Sequence, residues 1–177
     1  MTGLGELRAG LVCLDLQRGR LQRAADGPRV AEACRRVLAE ARRRRWPVLH
    51  VHHRETSVDL GRPIPGLEPL PSEALFERPG PSAFSNRSFE RVAQGLGGPL
   101  ALVGFHAFDT VAATAFAAAD RQIPVELIYD AVATGGPSRL LAGVCAPPGD
   151  VRLYARFVSS KDLFPGGISR FAAANTP

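Results

Sequence analysis

Residues 99–130, PLALVGFHAFDTVAATAFAAADRQIPVELIYD, constrain the fold more than any other stretch. An apolar run over residues 100–103 ends at Gly104, and a polar-punctuated turn follows through Thr110. An alanine-rich segment, residues 111–120, is broken by Ile123-Pro124, and a second apolar run over 125–129 closes on Asp130. The pattern predicts strand, turn, helix, strand: one βαβ unit. The small alanines let the helix lie close on a sheet. In a doubly wound fold, the strand-to-helix turn is where ligands bind, because N–H groups at a helix N-terminus point outward there.

The flanking sequence continues the alternation. Leu11-Val12-Cys13-Leu14, ending at Asp15, has the uniform hydrophobicity of a buried parallel strand. Gln17, Arg18 and Gly19 lead away from it. Over residues 29–45 the apolar positions Val30, Ala33, Cys34, Val37, Leu38 and Ala41 form the stripe of an amphipathic helix. The arginine run 42–45 falls in its last turn, where cations complement the helix dipole. Pro47 ends that helix, and residues 48–53 read as the second strand. Alternation sets His50 and His52 on one face and His53 on the other, which argues against a shared metal. Residues 54–73 form a long loop rich in proline and charge; such loops are usually functional or mobile. A short third strand is expected over 74–78 and a helix over 86–96. Beyond Asp130, a turn, a short helix to Cys145 and a last strand over 151–157 complete the pattern. The expected fold is a three-layer, doubly wound, mostly parallel sheet of about six strands in a single domain spanning 1–177. A 3-2-1-4-5-6 order would set Asp15 and the turn 104–110 on one crevice at the switch point.

Composition narrows the partners. The net charge is +5 and the pI about 9.8, which raises nucleic acid as a partner. Lys161 is the lone lysine, the arginines are spread along the chain, and the expectation is a solvated basic surface without nucleic-acid function. The three cysteines, Cys13, Cys34 and Cys145, form no CxxC, which points to a reduced, cytoplasmic setting and no zinc site. No apolar run approaches the roughly 20 residues of a membrane span, and the N-terminus lacks a signal-peptide core. No cofactor is expected.

In serial order, Leu11-Val12-Cys13-Leu14-Asp15-Leu16-Gln17, Pro47-Val48-Leu49-His50-Val51, Pro65-Gly66, Ser82-Ala83-Phe84 and the turn and helix from Gly104 to Ala119, ending at Asp130-Ala131, resemble the isochorismatase-like, or cysteine hydrolase, superfamily. Amidases of that superfamily use an acid, a lysine and a cysteine. The resemblance places the acid on Asp15, the lysine position on Arg78 and the cysteine position on Thr110. It also implies a strained or cis peptide at Phe105–His106, with oxyanion donors at Phe105, His106 and Thr110. A threonine hydroxyl is a far weaker acid than a thiol, and an arginine cannot exchange protons near neutrality. Neither Cys13, inside a strand, nor Cys145, at the far end of a late helix, replaces the missing thiol. The superfamily also contains enzymes that hydrolyse a vinyl ether without a cysteine nucleophile. In that class Asp15 would donate the proton, and Arg78 could bind a substrate carboxylate.

Two functions therefore stand side by side. One is a hydrolase acting on a small anionic molecule without a covalent cysteine intermediate, with Asp15 as acid or base. The other is a non-catalytic member that binds a small molecule or serves as an oligomer subunit. His106 is either a general base beside Asp15 or a locally bonded buried ring. Phe84, Phe105, Phe108 and Gln17 are the expected substrate contacts, with core filling as the alternative for Phe84 and Phe108. Homo-oligomerisation is implied by the resemblance alone.

Overall fold

A computed structural model of the protein describes residues 9–133 and 155–164. Six strands, β1 (Gly10–Leu14), β2 (Val48–His53), β3 (Ala74–Arg78), β4 (Leu100–Gly104), β5 (Val125–Val132) and β6 (Arg156–Val158), form one sheet in the order β3-β2-β1-β4-β5-β6. Every pairing is parallel. This is the expected doubly wound sheet, and β1 and β4 are neighbours across the switch point. Both central strands are buried at every residue, which is why their sequences lack polar alternation.

Helices cover both faces. α2 (Gly27–Arg43) lays Val30, Cys34, Val37, Leu38 and Ala41 on one side, against Leu11, Cys13, Ala101 and Val103. α4 (Arg87–Leu96) and α5 (Ala112–Ala119) cover the other, where Phe89, Ala93, Ala112 and Ala115 meet Val12, Leu14, Val51 and Leu102. Asn86 caps α4 by accepting from the N–H groups of Ser88 and Phe89, and Gly97 ends it in the left-handed conformation.

Several local expectations need correction. A short helix, α1 (Arg18–Arg23), follows β1 where the sequence read only as a departing chain. The 54–73 loop contains a one-turn helix, α3 (Val58–Gly61), and buries Ile64 and Leu67 completely. It is tied down, because Arg35 donates to Pro65 O and Arg42 to Glu68 O. The arginine run also does more than answer a dipole. Arg42 forks onto Glu73, while Arg43 and Arg44 clasp Glu40, whose carboxyl is drawn down to about 2. The helix expected up to Cys145 and the start of the last strand lie outside the described residues.

Candidate active site

Asp15 leaves β1 with its backbone in the left-handed region, φ 51°, which aspartate tolerates better than most residues. Its N–H donates to Val51 O, so the carboxylate stands at the carboxyl end of the sheet. Arg78 ends β3 in register with His53 of β2. Its Nε donates to Asp15 Oδ1 at 3.1 Å and its Nη2 to Oδ2 at 2.7 Å, while Nη1 donates to Gly80 O at 2.6 Å. Thr110 Oγ1 donates to Asp15 Oδ2 at 3.2 Å. Asp15 and Thr110 are 0% exposed and Arg78 5%. Sequence positions 63 and 95 residues from Asp15 thus meet on one carboxylate.

Gly104 lets β4 approach closely enough for this. A Cβ there would stand 2.0 Å from Leu14 O, at a φ of +134° that side chains rarely adopt. The next residue, Phe105, donates its N–H to that same oxygen. Of the strained or cis peptide expected at Phe105–His106, the cis form is not found: among the described residues every peptide is trans. The chain turns instead at His106, held left-handed at φ 64°, ψ 69°, and enters a π-helical turn, Ala107–Val111, that carries Thr110. A left-handed residue of this kind costs on the order of 1 kcal/mol, and hydrogen bonds from Asp109 and Val111 N–H to His106 O brace it.

A second shell of charge surrounds Asp15. Arg20, 9% exposed, brings Nε within 3.9 Å of Asp15 Oδ2 and 3.2 Å of Glu55 Oε1. Arg23 grips both Glu55 oxygens, at 3.2 and 3.0 Å. Burial lowers the His106 pKa, and the nearby Arg20 lowers it further against the pull of Asp15 and Asp109. Burial likewise lowers His53, assisted by Arg20 and Arg78. Both shifts favour the neutral ring. Nothing in the sequence separated Arg20 and Glu55 from the many solvated charges, and His53 stood out only as one of three neighbouring histidines. Arg20 lies five positions after Asp15, and only the turn of α1 brings it back.

The remaining candidates are placed as follows. Gln17 is locked between segments: Nε2 donates to His53 O and Gly61 O, and Oε1 accepts from His53 N–H. Phe84 packs edge-on against Phe89, with the Arg121 guanidinium 4.8 Å above its ring. Phe105 is buried in the core on the α2 side, and Phe108 is 39% exposed. His50 turns to the α2 side and meets Glu73, as alternation required. Among the described residues no group of acidic, histidine and cysteine side chains is arranged to hold a metal. Cys13 and Cys34 are buried, and burial raises both thiols, Cys34 to about 12. Cys145 lies outside the described residues. No helix among the described residues is long and apolar enough to cross a membrane.

The model of the isochorismatase domain matches residues 9–140, three quarters of the chain. The chain belongs to the isochorismatase family. Among solved structures it is similar to an isochorismatase from Pseudomonas putida, at 25% identity and a TM-score of 0.76, covering 89% of this chain and 91% of that one. It also resembles the YcaC gene product of Escherichia coli, an octameric hydrolase of unknown specificity (20% identity, TM-score 0.76, 90% and 80% covered). A third similar structure is N-carbamoylsarcosine amidase from Thermoplasma acidophilum (19% identity, TM-score 0.68, 86% and 96% covered). No curated protein matches the chain in sequence.

Proposed function

We propose that this isochorismatase-family protein hydrolyses a small anionic molecule without a covalent cysteine intermediate, with Asp15 as the acid–base group. The observation that carries the reading is the contact of Asp15 Oδ2 with both Arg78 and Thr110 at the switch-point crevice. Arg78 orients the carboxylate and cannot itself move a proton. Thr110 lacks an adjacent base strong enough to make it a nucleophile, so it serves as a hydrogen-bond donor. In this reading the ring of His106, whose lowered pKa favours its neutral form, accepts a proton at the same end of the sheet. The surrounding charge supports an anionic substrate. Three guanidiniums (Arg20, Arg23, Arg78) face two carboxylates (Asp15, Glu55), which leaves one positive charge.

A second reading, a non-catalytic member that binds a small molecule or builds an oligomer, is favoured by one feature. Nε, Nη1 and Nη2 of Arg78 are all bonded internally, and Asp15 is sealed beneath them. The octameric E. coli relative supports homo-oligomerisation, which light scattering of the purified protein would test.

Wild type, Asp15→Asn and the double variant Thr110→Cys/Arg78→Lys, assayed on small amides, carbamoyl compounds and vinyl ethers, separate the two readings. Turnover by wild type that Asp15→Asn abolishes supports the hydrolase. A silent wild type with an active double variant establishes a scaffold without chemistry of its own. Turnover that thiol-independent acylation of Thr110 accompanies would overturn the non-covalent mechanism.

A further inference from the structure

Thr114 carries a fully buried hydroxyl that the proposed chemistry leaves unused. It stands on α5, about one helical turn beyond Thr110, and both residues are 0% exposed. Its Oγ1 accepts from the N–H of Ala83 at 3.0 Å. Ala83 opens a 3-10 turn, Ala83–Ser85, that follows the strand carrying Arg78. That turn is closed on itself. Gly80 N–H donates to Ser85 Oγ at 3.0 Å, Ser85 Oγ donates to Ser82 O at 2.6 Å, and Ser82 Oγ accepts from Phe84 N–H at 3.1 Å. Gly80 O accepts in its turn from Arg78 Nη1 at 2.6 Å. The contacts therefore run in a ring. They pass from Asp15 through Arg78, Gly80 and the 82–85 turn to Thr114, back along the helix to Thr110, and onto Asp15 Oδ2. Arg78 belongs to β3 and Thr110 to the turn after β4, with β2 and β1 between these strands. The bond between Ala83 and Thr114 is where the two halves of the ring meet.

We propose that Thr114 is a positioning residue: its hydroxyl ties the turn after β3 to the helix after β4 and so holds the Arg78 fork on Asp15. This rests on the hydrolase reading and adds a residue to that same site. The physical reason is the cost of the alternative. Ala83 is completely buried, so its N–H has no water to turn to if the hydroxyl is removed. The turn must then shift to find an acceptor. Gly80 shifts with it, because Ser82 and Ser85 bind the turn together. Arg78 divides one planar guanidinium between Gly80 O and the two oxygens of Asp15, and it reaches all three in one orientation only. Packing alone does not fix that orientation. Ala83, Ala112 and Ala115 share the core on this face, but apolar burial is non-directional, whereas a hydrogen bond sets a distance and an angle.

The test is hydrogen exchange of the Arg78 Nε–H, followed by NMR on the full chain and assigned by its absence in Arg78→Lys. Thr114→Val keeps the shape and removes the acceptor. It should speed this exchange roughly tenfold or more, since it orphans a buried donor. Thr114→Ser keeps the hydroxyl and should stay within about threefold of wild type. Val37→Ala trims a buried side chain of α2 on the other face of the sheet. It controls for lost stability and should not reproduce the effect. If Thr114→Val fails to fold, Thr114→Ala is read by the same criterion. Unchanged exchange in the Thr114 variant, no rescue by serine, or equal acceleration in Val37→Ala would each overturn the assignment. Turnover separates this from failure of the hydrolase reading. Thr114→Val should lower kcat about tenfold and leave KM within about threefold, because a residue acting through Arg78 alters the chemical step more than binding. Thr114-dependent exchange at Arg78 without any Asp15-dependent turnover keeps the positioning role and removes the hydrolase. Asp15-dependent turnover with exchange at Arg78 indifferent to Thr114 does the reverse.

Discussion

Among the buried carboxylates that an arginine fork grips, Glu73 and Asp15 differ in what surrounds the grip. Glu73 accepts from Arg42 Nε at 2.7 Å, Arg42 Nη2 at 2.8 Å, Leu70 N–H at 2.9 Å and His50 Nε2 at 2.9 Å. Burial pushes its carboxyl up, but these hydrogen bonds pull harder, and it settles at about 2. Its work is mechanical: it fastens the 64–73 loop to α2 and β2. Among the described residues Asp15 accepts side-chain hydrogen bonds from Arg78 and Thr110, and it stands at the switch point with the unpartnered Nε of Arg20 3.9 Å from its Oδ2. A saturated carboxylate holds structure together. A carboxylate with unsatisfied neighbours at the mouth of a parallel sheet is placed for a ligand.

The largest expected effect tests that contrast directly. Asp15→Asn should lower kcat/KM by 10²–10⁴, the usual range for lost acid–base catalysis, while Glu73→Gln should change it by less than about tenfold. Steady-state assays on whichever panel compound is turned over would show it, and equal losses would erase the distinction. Stability should rank next. Arg78→Met leaves Asp15 buried and uncompensated and should cost about 3–5 kcal/mol in urea unfolding. Arg42 is a quarter exposed, so Arg42→Met should cost less, about 1–2 kcal/mol.

Acid should then loosen the two regions in sequence. His50, His52, His53 and His106 all have folded pKa values below 6.5, His52 at about 4, with burial the first cause in each. The unfolded chain therefore takes up protons first, and stability should begin to fall as pH drops below 6.5. Glu40 and Glu73, lowered from 4.5 to about 2, add stability that is full above pH 4.5 and lost as pH falls toward 2. Urea midpoints from pH 8 to 3 should show two successive declines. Glu40→Gln should blunt the second and spare the first, since the partners of Glu40 are Arg43 and Arg44 and no histidine; a flat profile between pH 7 and 5 would refute the histidine part. The smallest effect belongs to Thr110→Ala, about 1 kcal/mol of stability and less than tenfold in rate, because the hydroxyl is one donor among three on Asp15.

Much of the fold was legible because hydrophobic periodicity reports local geometry. The strands at 11–14, 48–53, 74–78 and 100–104 and the helices before the second strand and after the third were readable to within a few residues. The helix α1 was not, because Gln17-Arg18-Gly19-Arg20 carries no apolar stripe. It forms because the chain end beyond β1 is held by Gln17 against His53, Gly61 and Pro63, which no window along the sequence contains. That the loop at 54–73, read as functional or mobile, is tied down was hidden for the same reason: its anchors are Arg35, Arg42 and His50.

Alternation of apolar runs with an amphipathic stripe, alanine-rich crossover and glycine turns determined a parallel three-layer sheet, because a residue's burial and its chain direction are encoded within a few positions of itself. The same patterning separated His53 from His50 and His52. Only the tertiary structure decided which charges meet. It joined Arg78 to Asp15 across β2, saturated that arginine, and left the Nε of Arg20 without a hydrogen-bond partner. A side chain's free donors depend on distances between strands far apart in sequence, and electrostatic pairing at 3 or 4 Å has no periodic trace along the chain.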